Sequence, residues 1–222
     1  MTLGNFMMGP FEQHIRDAIA LNASRAPRYA LLSGGSSRPI SRWLILVERA
    51  LLPVARWSDR RAAPYHRAGI PLLGALFAPM ESAPAFASAR SPLGLMRNGD
   101  LLTAPIRRRV RAAYRARGFE GAAHALMTEI ATLADAPATD CVVRHLLESA
   151  HRLSALAPEQ IRLAGARGLA SPRWLLAFLF RLHLWGLSPA GALDSRARPL
   201  QARGIPILAQ DLPPVPPPPR TF

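Results

Sequence analysis

Apolar residues recur along this chain with a helical period and almost never with a period of two. Phe11, Ile15, Ala18 and Ile19 form one stripe at helical spacing, with Pro10 suited to a first helical position. Trp43, Leu44, Val47 and Leu51 form a second, after the turn-rich Ser33-Gly34-Gly35-Ser36-Ser37, where Ser37 or Ser41 is placed to cap a helix. Pro53 should end or kink that helix, with a further segment running to about Ala68. Gly69 fits the left-handed residue that stops a helix, and Pro71 bars a restart. Helices are then expected over about 105–117, 120–134, 139–156, 158–167 and 172–186, each bounded by a Gly, a Pro or a capping residue. Residues 74–104 hold Pro79, Pro84 and Pro92, lack periodicity and read as a long connection. The chain ends in DLPPVPPPPRTF, a polyproline II stretch by composition. No segment alternates well enough for a strand, so the expected fold class is all-α.

One phrase occurs twice. DRRAAPYHRAGIPLL at 59–73 returns 135 positions later as DSRARPLQARGIPIL at 194–208, with 8 of 15 positions identical. Arg42-Trp43-Leu44 precedes the first copy as Arg173-Trp174-Leu175 precedes the second. This predicts an internally duplicated helical protein: one domain over 1–210 made of two related units, about 11–95 and 105–210. Pro-rich connections and a Pro-rich tail at 211–222 complete it. Each copy is expected to be a helix, a Gly stop and a short extended Ile-Pro-x-Leu segment lying on the core. Asp59 and Asp194 open the two copies. They read as acceptors for helix-terminal N–H groups rather than as paired half-sites, because the repeated positions are otherwise mostly Gly, Pro, Ala and aliphatic.

Composition narrows the chemistry. The formal charge is +14, and all 28 basic residues are Arg. Without Lys there is no Schiff-base lysine, no lysine general base and no Walker-type phosphate lysine. A lysine-free, Arg-, Ala- and Pro-rich sequence fits GC-rich, bacterial coding. Planar guanidinium forks suit an acidic protein, nucleic acid or an anionic membrane surface as partner. The single cysteine, Cys141, excludes an internal disulfide and a Cys-rich zinc site. The N-terminal MTLGNFMMGPFEQH lacks the pattern of a secretory signal. The apolar run Trp174–Trp185, broken by Arg181 and His183, reads as a central buried helix, or else as an interface helix, and is too short to span a bilayer. The expected location is cytoplasmic, with no transmembrane span.

Two constellations carry candidate function. Arg107, Arg108, Arg109, Arg111, Arg115 and Arg117 crowd one helix whose other face holds Ile106, Val110, Ala113 and Tyr114, a basic amphipathic pattern. Arg38 and Arg42 stand beside the Ser33–Ser37 loop, which resembles an anion-binding nest, and complete the candidate anion-binding set. The second constellation is Cys141, His145 and Glu148 at i, i+4 and i+7, in a helix that Thr139 or Asp140 would cap. There the helix dipole would lower the thiol pKa and His145 could take its proton. Glu148 and His151 also have the Glu-x-x-His spacing of a metal-binding pair. The same residues form the polar face opposite Val142, Val143, Leu146, Leu147, Ala150 and Leu153, with Arg144–Glu148 and Glu148–Arg152 as ordinary helical ion pairs. The leading expectation is a non-catalytic helical binding or scaffold protein that presents an Arg-rich surface to an acidic partner. The alternative is a helical-bundle enzyme using the polar face of 139–156, with a metal ion as cofactor in that case alone. The two part on whether His145, Glu148 or His151 converges with His124, Glu129, His183 or Asp194 around a pocket.

Overall fold

The computed structural model describes residues 9–73, 99–134, 141–205 and 207–208. Every regular element among them is an α-helix: α1 (Pro10–Leu32), α2 (Arg38–Arg67), α3 (Gly99–Ala134), α4 (Cys141–Ala166) and α5 (Arg173–Gln201). The expected all-α class is what the chain adopts. α1 packs Phe11, Ile15, Ala18 and Tyr29 against α2, which buries Ile40, Leu44, Ala55, Ala62 and Tyr65. α4 and α5 form a second hairpin, and α3 lies across both of its helices. α5 is the most deeply set, with Leu175, Leu176, Leu179, Phe180, Leu184 and Leu187 all buried.

α2 joins the second hairpin through α5. Trp57 meets Trp174 and Phe178 edge-on, at centroid distances of 5.6 and 5.1 Å, and the Arg61 guanidinium lies 5.9 Å from the Trp174 ring centre. Beside this seam the Tyr65 hydroxyl donates to the Ala170 carbonyl at 2.9 Å. By length and composition, α5 is a helix that could cross a membrane, since it runs 29 residues rather than stopping near 186. In this fold its apolar side is turned onto α3 and α4.

Helices run on past prolines near which the sequence reading allowed an end, and at Pro53 an end or a kink. α2 continues through Pro53 and Pro64, α4 runs unbroken through Pro158, and α5 passes Pro189 and Pro199. An interior proline costs about 3 kcal/mol. Here apolar residues on both sides of each proline pack on the same core, so breaking the helix would expose one flank. α3 begins at Gly99, so the last residues of the expected 74–104 connection are helical. The expected break near 118 is real: Arg117 and Gly118 leave helical geometry, and Gly118 takes φ 63°, which glycine adopts without strain. Residues 74–98 and the expected polyproline tail lie outside the described residues.

The repeated phrase takes one hydrogen-bonded form in both places. In the first copy Gly69 N–H donates to His66 and Ile70 N–H to Tyr65, closing the helix, and Leu72 N–H then donates to Ile70. In the second copy Gly204 donates to Gln201, Ile205 to Leu200 and Ile207 to Ile205, each bond 135 residues on. Both glycines have positive φ, 72° and 80°. The segment after each stop is a tight turn rather than the short extended segment expected. Its apolar side chains, Ile70, Leu72 and Leu73 in one copy and Ile205, Ile207 and Leu208 in the other, are buried.

The repeated aspartates do not cap their own helices. Asp59, late in α2, accepts the N–H groups of Phe11 (3.2 Å) and Glu12 (2.8 Å) at the start of α1. Asp194, late in α5, accepts those of Val142 (3.0 Å) and Val143 (2.9 Å) at the start of α4. Each carboxylate thus holds together the two helices of one hairpin and meets the positive end of a helix dipole. Burial pushes the Asp59 carboxyl above its ordinary range, although the N–H bonds from Glu12 and Phe11 pull it back. The fit is close enough that a β-carbon on Gly9 would collide with the Asp59 carboxylate.

Candidate functional site

α3 is held by its apolar side. Ile106 and Val110 are buried, and Tyr114 stacks on Phe180 (4.9 Å between centroids) and meets Phe119 edge-on (5.2 Å). With that side fixed, helical geometry turns Arg108, Arg111 and Arg115 outward together, where all three are exposed; Arg117, at the break in the helix, is exposed as well, and Arg107 is half-buried. Among the described residues no carboxylate pairs with any of these five. Arg109 is different. It grips Glu129, farther along α3 past the break, through two bonds, Nε to Oε1 at 2.6 Å and Nη2 to Oε2 at 2.8 Å. That fork, with Glu129 buried, raises the Arg109 pKa and commits its guanidinium to tying the two arms of α3 together.

Arg38 and Arg42 belong to another surface. Both line an open groove of about 730 Å³ at the α1–α2 turn, with Pro27, Ala30, Leu31 and Ile45 among its walls. The Ser33–Ser37 loop is not the anion nest that its composition suggests. Gly34, Gly35 and Ser36 N–H groups donate to Leu31, Ala30 and Ser33 carbonyls, the Ser37 N–H donates to the Ser33 hydroxyl, and Arg38 N–H donates to Gly35. Every amide that a nest would offer is already bonded. Ser37 occupies the cap position but its side chain bonds no amide of the helix; its own N–H is held by the Ser33 hydroxyl.

The polar face of α4 disperses. Cys141 opens the helix, with its side chain outside the described residues. Glu148 pairs with Arg144 at 2.8 Å, as the i,i+4 spacing predicts. His151, one turn on, directs Nδ1 to the Ala123 carbonyl of α3 at 3.1 Å, and His145 is half-buried. Of the four residues on which convergence depends, three are engaged with other partners. Glu129 binds Arg109, Asp194 caps α4, His183 contacts the Leu179 carbonyl at 2.7 Å, and His124 is exposed. Thr139 and Asp140 lie outside the described residues, and Asp194 is the carboxylate at the start of α4. Among the described residues no three His, Cys, Asp or Glu side chains stand close enough to share a metal ion.

Burial lowers the pKa of three histidines. His14 falls to about 4, with nearby His183 adding to the shift and Asp17 opposing it. His183 is lowered by burial, against its bond to Leu179. His66 is lowered by burial and partly restored by Asp59. All three sit neutral in the fold at pH 7, with His66 Nε2 accepting the Leu73 N–H at 3.2 Å.

Sequence reasoning missed the cross-helix role of the two aspartates, the sequestration of Arg109, and the exposed leucines beside Arg38 and Arg42. A usable signal existed for the first: an aspartate repeated at the same place in both copies, well inside a helical stretch. Compared with known proteins, the chain matches no protein-family model, no curated protein and no solved structure.

Proposed function

We propose that the protein is a non-catalytic helical scaffold of the cytoplasm that presents the arginine face of α3 to an acidic partner. The observation that carries this reading is the row Arg108, Arg111 and Arg115, exposed on a helix whose inner side is locked by Val110 and the Tyr114–Phe180 stack, with Arg117 exposed at the break beyond it. Like charges brought together in water without counter-charges repel, and a polyanion relieves that repulsion while releasing its own counterions. Guanidinium forks add bidentate contact with phosphate or carboxylate. The helical-bundle enzyme reading draws no such support, because Glu148 is paired within α4 to Arg144 while His151 turns to the Ala123 carbonyl of α3.

The test is retention on heparin or on an acidic polypeptide across a salt series. Retention should fall steeply with salt. Arg108→Glu with Arg111→Glu should weaken it about tenfold or more, from four units of charge reversed at one face, with an unchanged melting temperature. Binding indifferent to both salt and these substitutions would overturn the proposal.

A further inference from the structure

The free end of the α1–α2 hairpin combines two features. It exposes large aliphatic side chains: Leu31 is 82% exposed, Leu32 52% and Leu46 64%. It is also uniformly basic. From Ala18 to Val47 the chain has no Asp or Glu, while Arg28, Arg38 and Arg42 stand exposed around these leucines. Single exposed leucines are ordinary, but here Leu31 continues into the groove wall with Pro27, Ala30 and Ile45, so the apolar surface is contiguous. Arg38 and Arg42 line the same groove. The turn is rigid, since the Ser33–Ser37 amides are internally bonded and the Ser33 hydroxyl donates to the Ser37 hydroxyl at 2.9 Å.

We propose that this hairpin end is a docking site for the anionic face of a lipid bilayer, with Leu31 and Leu32 entering the headgroup–acyl boundary and Arg28, Arg38 and Arg42 on lipid phosphates. Charge complementarity selects a negative surface, and exposed leucine selects one with hydrocarbon just beneath the charge. Arginine suits that depth, because its apolar stem lies along hydrocarbon while its fork stays with phosphate. The shape separates a bilayer from an acidic helix. A helix laid along the groove would cover Leu31, Ala30 and Ile45 and leave Leu32, which is exposed but outside the groove, in water, whereas a bilayer takes up both leucines and brings phosphate to the arginines beside them. The site lies on a different helix pair from the α3 arginines and does not depend on that proposal.

The test uses the full chain in co-sedimentation with vesicles of phosphatidylcholine alone and of equimolar phosphatidylcholine and phosphatidylglycerol. Binding is expected only to the anionic vesicles. Leu31→Ser with Leu32→Ser should lower the partition coefficient about tenfold, and Arg38→Glu with Arg42→Glu by at least as much. Because these side chains are exposed, thermal melting should be unchanged. An L31W variant read against brominated lipid should show quenching on anionic vesicles that the parent chain lacks. The proposal is overturned by absence of vesicle binding, or by binding that survives both tip variants and is lost with Arg108→Glu and Arg111→Glu. Tip-dependent binding to an acidic amphipathic peptide without vesicle binding overturns it equally, in favour of a protein partner.

Discussion

In each of the two hairpins an aspartate from the second helix reaches back to hold the first turn of the partner helix, yet α3 packs across only one of them. α4–α5 carries α3 along both of its helices, while α1–α2 meets the rest of the fold mainly where α2 touches α5. Asp194 is fully buried and its N–H partners with it, whereas Asp59 keeps slight exposure and the Glu12 N–H that it accepts is only partly buried. The shared features, the aspartate and the glycine stop, are therefore structural in both. What is not shared, the uncovered end of α1–α2 and the arginine face of α3, is where partner binding has room. Repetition marks scaffold, and function is to be sought in the differences.

The two aspartates give the largest test of that comparison. Asp194→Ala should cost about 3 kcal/mol in denaturant unfolding, because two buried N–H groups lose their acceptor where water cannot replace it. Asp59→Ala should cost about 1 kcal/mol, since water can reach the start of α1. Equal losses would show that burial of the cap does not distinguish the hairpins. Asn at either position, retaining one acceptor oxygen, should recover part of the loss.

The glycine stops come next and should behave alike. Gly69→Ala and Gly204→Ala each place a β-carbon on a left-handed residue, at about 1–2 kcal/mol. A β-carbon at Gly204 meets open space, while at Gly69 it would meet the exposed Arg167 guanidinium at 2.9 Å, which can swing aside. Losses differing by more than about 1 kcal/mol would contradict a common conformation at the two stops.

The smallest effect concerns one aligned position where the copies differ. His66 accepts the Leu73 N–H, while Gln201, its counterpart, donates to the Ile207 carbonyl at 2.8 Å. Both bonds pin the final turn to its helix, but only the histidine bond titrates. Burial holds the His66 pKa below its ordinary value near 6.5. Its stabilising contribution is complete above that unfolded value and is lost as pH falls from there toward the lower folded pKa. His66→Gln should slightly flatten the loss of stability between pH 7 and 5, measured by thermal melts across pH. His14, titrating at about 4, and His183 should supply the acid sensitivity that persists. An unchanged pH profile would mean that the His66–Leu73 bond contributes nothing.

Much of the fold was legible in local pattern, for a physical reason. Helical period, the Gly69 and Gly204 stops and the Gly118 break depend on residues a few positions apart, and backbone sterics act at that range. The arginine face of α3 was legible too, because side chains on one helix take their directions from the same period. Whether a proline ends a helix was not local: at Pro53, Pro158 and Pro189 it turned on packing that flanks the residue on both sides. Nor were the partners of Asp59, Asp194 and Arg109, which lie 47, 51 and 20 residues away at their nearest. A carboxylate late in a helix gives no local sign of which helix start it will meet. The separation of Arg38 and Arg42 from the α3 arginines likewise followed from which helices pair. By itself the sequence determined the helices, their stops and the excess of unbalanced arginine. Only the tertiary structure decided which charges are committed to holding the fold and which are left facing outward, because that depends on contacts between segments far apart in the chain.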